Sequence, residues 1–218
     1  MKIMFNHRYG LHDATVQGTK TKTRRIIPKK KIEAYYKSRD NVSYVCLPTC
    51  QPIYSETLEQ AMMRQCPYEV GQVLPIAECY AEIYNRLLLH GKTNDALAFR
   101  SELGAEPELQ AGWQNKMFVR EELMPRAIRI DAIRFQMLQD ISEEDCLAEG
   151  IVDEGEVRGE YRYGFYTGST FGARGNRTTS VWYNNPRKAY AALIDKIGKR
   201  GDWDSNPYVY ALTYTRIR

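Results

Sequence analysis

The hydrophobic pattern of residues 126–138 predicts a long β-strand that changes phase part of the way along. Its apolar positions fall into two sets of opposite phase, namely Ile128, Ile130 and Ala132, followed by Ile133, Phe135 and Met137. Because successive side chains of a strand point to opposite faces, one regular strand cannot bury both sets on the same side. The pattern therefore indicates a β-bulge, or a strand that bends round the corner of a barrel.

Helices with clear ends are predicted between further strands. Residues 142–150 begin at Ser142, a favourable N-cap, continue with three acidic residues at the positive helix end, and stop at Gly150. Residues 186–197 begin with a proline and carry an apolar stripe. Residues 208–217 alternate as a strand does. Short strands and helices without regular βαβ spacing indicate an α+β fold.

Residues 155–177 combine six glycines with five aromatic residues and four arginines. This composition predicts a long loop or a loose hairpin. Arginine and aromatic side chains on a flexible backbone can stack on bases, which would make the segment a nucleic-acid contact. An ordinary insertion with partly packed aromatic side chains is the alternative, and the sequence leaves both open.

The chain has 218 residues, of which 43% are hydrophobic and 27% are charged. This size suits one domain with a substantial core, and we expect a single domain over residues 1–218. No apolar run approaches the roughly 18–20 residues needed to cross a bilayer, and the first residues become polar at once. We therefore expect a cytoplasmic protein with no membrane partner.

The residue types that most often bind metals show no metal-binding spacing, and the cysteines form no CxxC pair. We expect free thiols, no metal and no cofactor. The residues concerned are Cys46, Cys50, Cys66, Cys79, Cys146, His7, His12 and His90.

The formal net charge is only +4, but the cations are concentrated near the N-terminus. Seven of them lie within twelve residues that contain no acid, whereas residues 140–160 are predominantly acidic. Such a basic segment indicates a site for a phosphate-bearing ligand, although two unrelated solvated surfaces would give the same pattern. The seven cations are Lys20, Lys22, Arg24, Arg25, Lys29, Lys30 and Lys31.

The most distinctive motif is residues 18–25, Gly-Thr-Lys-Thr-Lys-Thr-Arg-Arg. It resembles the Gly-x-Lys-Thr-x-Thr-x-Arg signature of the ASCH family, small domains built on a PUA-like β-barrel. Other segments resemble family elements in the same chain order, and the last of them is typical of a larger branch associated with phages and mobile elements. These segments are residues 68–74, 129–133, 138–150 and 203–209.

The resemblance implies a fold and a set of site residues. The implied fold is α+β, a PUA-like β-barrel with flanking helices and with insertions near residues 28–66, 80–113 and 152–181. Some small ASCH proteins are amidohydrolases that deacetylate N4-acetylcytidine with a Lys, a Thr and a Glu. The matching positions are Lys20, Thr23 and Glu149, with Thr23 as the nucleophile, Lys20 as its activating partner and Glu149 as an orienting or proton-shuttling group. The resemblance and the local charge also suggest ligand-binding roles for Lys22, Arg24, Arg25 and Glu78.

The proposed chemistry depends on the protonation state of Lys20. A threonine hydroxyl is a poor nucleophile without a base, and a neutral lysine needs its pKa lowered from about 10.4 to near 7. Burial and neighbouring cations can do this, but a directly paired Glu149 would raise the pKa again. Lys20 would then stay charged and hold the developing oxyanion, or it would form a salt bridge that supports a binding groove without turnover.

Three functions therefore compete. The first is binding of RNA, or of a nucleotide or modified nucleoside, in a basic cleft beside the barrel. The second is an amidohydrolase that deacylates nucleosides resembling N4-acetylcytidine. The third is a protein-interaction module of a mobile element. A small enclosed pocket would favour the enzyme, and an open positive groove would favour RNA binding.

Overall fold

The structure, a computed structural model, describes residues 1–40, 56–167 and 178–217. The strands are β1 (Lys22–Ile26), β2 (Val73–Pro75), β3 (Ala127–Met137), β4 (Val152–Val157), β5 (Glu160–Thr167), β6 (Thr178–Tyr183) and β7 (Tyr208–Arg216). The helices are α1 (Leu11–Gln17), α2 (Lys29–Asp40), α3 (Leu58–Arg64), α4 (Tyr80–Leu89), α5 (Thr93–Glu102), α6 (Glu143–Ala148) and α7 (Pro186–Ile197). Short 3₁₀ helices lie at Pro107–Leu109, Lys116–Phe118, Glu121–Leu123 and Leu138–Asp140.

The larger sheet is antiparallel and strongly curled, so that it forms half of a barrel. Its strand order is β1-β7-β3-β2, which places β7 between two strands that come much earlier in the chain. Helix α3 contacts β3 of this sheet. The α+β class and the barrel-like sheet expected from the sequence are therefore confirmed.

The predicted change of phase in β3 is confirmed as a β-bulge. The register against β7 shifts between Ile130 and Ala132, which leaves Asp131 as the extra residue. Its carboxylate accepts hydrogen bonds from Arg129 Nε at 3.0 Å and from the Thr215 hydroxyl at 2.6 Å. Because of the bulge, the two halves of β3 can present their apolar residues to different surroundings.

Residues 152–167 form a hairpin of β4 and β5, and β6 adds a third strand to this smaller sheet. The hairpin alternative is therefore the one adopted over the described part of the glycine-rich segment, and residues 168–177 lie outside the described ranges. Helix α7 packs on β5. Phe165 of β5 is buried and meets the ring of Tyr9 edge to face at 5.8 Å, which joins the small sheet to the N-terminal region.

Two hydrophobic clusters hold the elements together. The main one gathers residues from β3, β7, α7 and the N-terminal segment, with Ile128, Ile130 and Tyr190 among its fully buried members. The second lies between α4, α5 and the short 3₁₀ helices, around Tyr80 and Ile83. The segments expected as insertions near residues 28–66 and 80–113 thus supply α2 and α3, and α4 and α5.

The N-terminal segment is anchored to the half-barrel. Ile3 forms a parallel bridge with Ile76 just beyond β2. Helix α1 packs against β7, where the Thr15 hydroxyl lies 3.0 Å from the Tyr214 hydroxyl. None of the helices in the described ranges has the length and apolar character required to span a membrane.

Candidate functional site

Two glycines with positive φ shape the region of the basic motif. Gly18 ends α1 with φ +80°, and Gly150 follows α6 with φ +102°, where the sequence predicts the end of that helix. A Cβ atom at Gly150 would lie 2.9 Å from Leu11 Cδ2 and 3.5 Å from Lys20 Cδ, so a side chain here would force Leu11 to shift, and the positive φ would add backbone strain. Glycine at this position therefore allows the end of α6 to approach the start of β1.

Lys20 is the centre of a buried charge cluster. Its ammonium group donates to the backbone oxygens of Lys22 at 2.6 Å and Glu149 at 2.7 Å, and to Glu149 Oε2 at 2.7 Å. An ammonium group has three N–H donors, and these three acceptors use all of them. Only 2% of Lys20 is exposed. In this geometry Lys20 has no donor left for a substrate oxygen.

Arg24 and Lys22 extend the cluster along the same face of β1. The Arg24 guanidinium donates to Glu149 Oε1 at 3.0 Å and to Asp145 Oδ2 at 2.7 Å, and Lys22 pairs with the other oxygen of Asp145. Both carboxylates belong to the α6 region, whose N-terminus is capped by Ser142 as predicted. We call Lys20, Lys22, Arg24, Asp145 and Glu149 the Lys20 cluster. It fastens α6 to β1.

The electrostatics of the Lys20 cluster follow from burial and pairing. Burial lowers the pKa of Lys20, the Glu149 carboxylate opposes this effect, and the net pKa remains below its usual value. Burial likewise acts to lower the pKa of Arg24, but Glu149, Tyr190 and Asp145 together outweigh it and the net pKa is raised. Three of the seven cations in the basic segment are thus neutralised by partners inside the protein. The segment is less electropositive toward solvent than its sequence indicates.

Thr23 and Arg25 occupy the other face of β1, because side chains alternate along a strand. The Arg25 guanidinium donates to the Met4 backbone oxygen at 2.9 Å and lies 5.7 Å from the centre of the Phe5 ring. Thr23 is buried, and its hydroxyl makes no hydrogen bond within residues 1–40, 56–167 and 178–217. The structure thus joins Lys20 to Glu149 directly, whereas no hydrogen bond in that part of the chain connects Thr23 to either.

Glu78 belongs to a different cluster, at a cavity of about 190 Å³ between α1 and α4. Its side chain is fully buried. One carboxylate oxygen, Oε2, pairs with Arg86 and lies 3.6 Å from Arg126 Nη1 and 4.0 Å from His12 Nε2. We call this space the Glu78 cavity. It is lined by His7, His12, Asp13, Val16, Gln17, Glu78, Glu82, Arg86, Leu89 and Arg126.

Two stacked imidazole rings form part of the wall of the Glu78 cavity. The rings of His7 and His12 lie 3.9 Å apart and nearly parallel. Burial lowers the pKa of His7 to about 3, with Lys116 adding to the effect, and lowers the pKa of His12 to about 2, with His7 adding to it. Both rings are therefore neutral at physiological pH, which removes the repulsion that two stacked imidazolium ions would have.

Several buried polar atoms of the Glu78 cavity lack partners in the described part of the chain. These atoms are Glu78 Oε1, His7 Nε2 and His12 Nδ1. A buried polar atom without a hydrogen bond costs roughly 1–3 kcal/mol, so three at one cavity indicate a position that a ligand or water completes. The three side chains that carry these atoms all line one small pocket, which is a common setting for a binding site.

The described residues hold no group of three or more histidine, cysteine or acidic side chains arranged for a metal ion. Cys66, Cys79 and Cys146 are free thiols, and burial raises the pKa of Cys79 and of Cys146 to about 12. Cys46 and Cys50 lie outside the described ranges.

Sequence reasoning missed most of the Glu78 cavity. It selected Glu78, but it gave no role to His7 or His12 and did not consider Arg86 or Arg126. The one local signal was the spacing of Glu82 and Arg86, which places an acid and a base on the same face of α4. The histidines carried no signal, because one precedes α1 and the other lies within it.

Comparison with known proteins adds no relative. No protein-family model, no curated protein and no solved structure matches the chain. The functional argument therefore rests on the geometry of these two clusters.

Proposed function

We propose that this protein binds a nucleoside, or a nucleotide unit of RNA, in the Glu78 cavity, and that its half-barrel is a PUA-like barrel of the ASCH kind. The observation that carries the proposal is the set of buried hydrogen-bonding atoms without partners around this cavity. They need a polar ligand, and the two histidine rings offer flat surfaces.

The size and the walls of the cavity support a single small heterocycle. A volume of about 190 Å³ is below the roughly 300–1,000 Å³ of pockets that hold drug-sized ligands. Val16 and Leu89 add apolar surface, and 78% of Leu89 is exposed. Arg86 and Arg126 remain 22% and 23% exposed, so their guanidinium groups can also meet the sugar or phosphate of a ligand.

The Lys20 cluster supports a structural role better than a catalytic one. All three donors of Lys20 and both carboxylate oxygens of Glu149 already have partners. For Lys20 to act as a base or to hold an oxyanion, one of these contacts must first break. This arrangement agrees with the last alternative of the sequence analysis, in which Lys20 and Glu149 form a salt bridge that supports a binding groove without catalysing a reaction.

A test of binding compares the intact protein with two arginine variants. We expect measurable binding of at least one of the four common ribonucleosides or their 5′-monophosphates by calorimetry. Arg126→Gln removes a guanidinium group at the cavity and should weaken that binding about tenfold, or about 1.4 kcal/mol. Arg134→Gln, at an exposed position of β3, the strand that follows Arg126, is the matched control and should bind as the unmodified protein does. Dissociation constants above roughly 1 mM for all eight compounds would overturn the proposal.

An amidohydrolase acting through Thr23 is the second candidate. It is favoured by a second cavity of about 280 Å³ that includes Thr19 and Gly150, the immediate sequence neighbours of Lys20 and Glu149. The test is release of cytidine from N4-acetylcytidine, followed by chromatography. Turnover that is lost in Thr23→Val and kept in Thr19→Val would establish this function. The absence of cytidine release from the unmodified protein would exclude it.

A further inference from the structure

The basic segment near the N-terminus divides into an inner part on β1 and an outer part on α2. Lys20, Lys22 and Arg24 pair with carboxylates of the α6 region. The three lysines of residues 29–31, by contrast, form the first turn of α2, where the Lys29 side chain is 90% exposed. The positive charge that remains available to a ligand therefore lies mainly on α2.

The lysines of α2 share one exposed face of the helix. Lys30 and Lys37 are two helical turns apart, so they lie on the same side, and both are exposed. Neither of them makes an ion pair or a hydrogen bond with another side chain of the described ranges. Lys29 borders this face and pairs with Glu33 one turn further on, at 3.5 Å. The face thus carries an excess of positive charge.

The first turn of α2 has a charge opposite to the one that stabilises a helix. The N-terminal end of a helix is partly positive, so acidic side chains are favourable there and cations are not. Helix α6 follows this rule with three acidic residues in its first turn, whereas the first turn of α2 holds three lysines and no acid. An arrangement that opposes local stability is expected at functional positions. The lysines therefore indicate a negatively charged ligand.

An aromatic ring accompanies these cations. Tyr36 precedes Lys37 in α2, and 50% of it is exposed. The ring of Tyr35 meets it edge to face at 5.4 Å, and the Tyr35 hydroxyl donates to the backbone oxygen of Glu56 at 2.8 Å, which fixes Tyr35 in place. Exposed aromatic rings beside cations are typical of proteins that bind unpaired bases and their phosphates. We call these residues the α2 surface: Lys29, Lys30, Tyr36 and Lys37.

The apolar side of α2 distinguishes between two kinds of anionic partner. Ile32 and Tyr35 are half-buried and pack against the main hydrophobic cluster, so this side of the helix faces the protein. A helix that binds at the surface of a bilayer instead places its apolar face in the lipid. Because that face of α2 is already covered, the helix suits a polyanion in solution better than an anionic membrane.

We infer that the α2 surface binds the phosphate backbone of a single-stranded nucleic acid and that Tyr36 stacks on one of its bases. Under the function proposed above, on which only the identity of the strand rests, this nucleic acid is RNA. Phosphate contacts fix the position of a strand but carry no sequence information directly. Strands of different sequence therefore bind the α2 surface with similar affinity.

The experiment measures binding of a fluorescein-labelled oligouridylate of about twelve nucleotides to the intact protein, by anisotropy from about 50 mM to about 200 mM salt. The double variant Lys30→Gln/Lys37→Gln should bind at least about tenfold more weakly at about 0.1 M salt. It should also reduce the slope of log affinity against log salt by about 1.4, because each phosphate contact with a single strand contributes about 0.7. Tyr36→Leu should weaken binding about fivefold and leave the slope unchanged.

The matched control is Lys196→Gln/Lys199→Gln, which removes the same charge at exposed positions at and just beyond the end of α7. It should bind as the unmodified protein does. Because Lys30→Gln relieves an unfavourable charge at the start of α2, the test variant should fold at least as stably as the control.

Each outcome decides a different point. Binding that survives Lys30→Gln/Lys37→Gln, or that falls equally in the control, would overturn the α2 surface as the contact. Binding to vesicles of phosphatidylserine and phosphatidylcholine without binding to the oligonucleotide would overturn nucleic acid as the partner. Tighter binding of oligodeoxythymidylate than of oligouridylate would support the surface and overturn RNA as its source. Calorimetry with single nucleosides tests the Glu78 cavity separately, so failure of one proposal can be distinguished from failure of the other.

Discussion

The Lys20 cluster and the Glu78 cavity both consist of buried charged side chains, but they differ in how many of their polar atoms have partners. In the Lys20 cluster, the ammonium group and both oxygens of Glu149 are paired. In the Glu78 cavity, an oxygen of Glu78 and a nitrogen of each histidine are not. Within the described residues, the first arrangement leaves one buried atom without a partner, Arg24 Nε, whereas the second leaves three.

Because of this difference, we expect the Lys20 cluster to contribute mainly to stability and the Glu78 cavity mainly to ligand binding. Removing one partner from a buried ion pair leaves an uncompensated charge, so the paired cluster should govern stability. Unpaired buried polar atoms cost stability until a ligand or water completes them, and under the proposed function the cavity should govern binding. The basic motif, which dominates the sequence, therefore belongs to the first region, and the less conspicuous histidines belong to the second.

Lys20→Met should have the largest effect on stability. It leaves Glu149 with only Arg24 as a buried cationic partner, and we expect the free energy of unfolding to fall by about 3–5 kcal/mol in urea denaturation. Lys22→Met is the matched control, because Lys22 is partly exposed and its pairing with Asp145 is worth about 1 kcal/mol or less. A stable Lys20→Met variant that loses nucleoside binding would place Lys20 in the ligand site and abolish the distinction.

Acidification should weaken the protein through His7 and His12. Their pKa values are about 3 and about 2 when folded and about 6.5 when unfolded, so the unfolded chain takes up more protons below pH 6.5. Stability is therefore present above pH 6.5 and is lost as pH falls through the interval toward the folded values. At pH 5 the loss is about 2 kcal/mol per histidine.

The check is the free energy of unfolding measured from pH 7.5 to pH 5. His12→Asn should remove about half of the pH-dependent loss attributed to the pair, and His90→Asn should remove none of it. Equal slopes in the unmodified protein and His12→Asn would contradict the assignment of a neutral, buried imidazole pair.

Gly150→Ala should destabilise the contact between α6 and β1 by about 1–3 kcal/mol, because it combines a positive φ with a Cβ atom 2.9 Å from Leu11 Cδ2. Gly18→Ala is the control, since it has a similar φ but nothing within 4 Å of the added atom. The difference in melting temperature between the two variants measures the destabilisation caused by the close contact alone, without that caused by the positive φ. No difference would mean that the close approach at Gly150 is unimportant.

Ser142→Ala should have the smallest effect, about 1 kcal/mol, through loss of the N-cap hydrogen bond to the Asp145 backbone N–H at 3.1 Å. Helix α6 carries Asp145 and leads to Glu149, and both residues belong to the Lys20 cluster and not to the lining of the Glu78 cavity. The same variant should therefore leave nucleoside binding in the Glu78 cavity unchanged. A selective loss of binding, with stability unaltered, would show that the two regions are coupled.

The sequence predicted those features that short periodic patterns encode. The bulge in β3 was visible as a change of phase, and the helix after Ser142 was visible from its cap and its closing glycine. The barrel-like curl was expected from the change of phase in residues 126–138 and from the resemblance to the ASCH family. The finer PUA-like assignment and the catalytic roles of Lys20, Thr23 and Glu149 stay predictions. The hairpin around residues 158–159 was predicted only as one of two alternatives, because glycines and charges interrupt the alternation of its strands.

The Glu78 cavity could not be predicted because its parts come from distant segments. His12, Glu78 and Arg126 lie in α1, before α4 and before β3, and nothing in their local sequence marks them as neighbours. The basic segment is visible in the sequence, but the carboxylates that neutralise part of its charge could not be identified there. Asp145 and Glu149 lie more than 120 residues away from the cations that they pair with.

The position of β7 has a consequence for how the chain is made. This strand comes after all the other described strands, yet it lies between β1 and β3 in the sheet. A nascent chain that has emerged only as far as α7 therefore has β1 and β3 without the strand that joins them, and their hydrogen-bonding edges stay open. Closure must wait for residues 208–216 and for contacts spanning nearly the whole chain, which makes assembly slow and leaves a period in which association with another chain competes with folding.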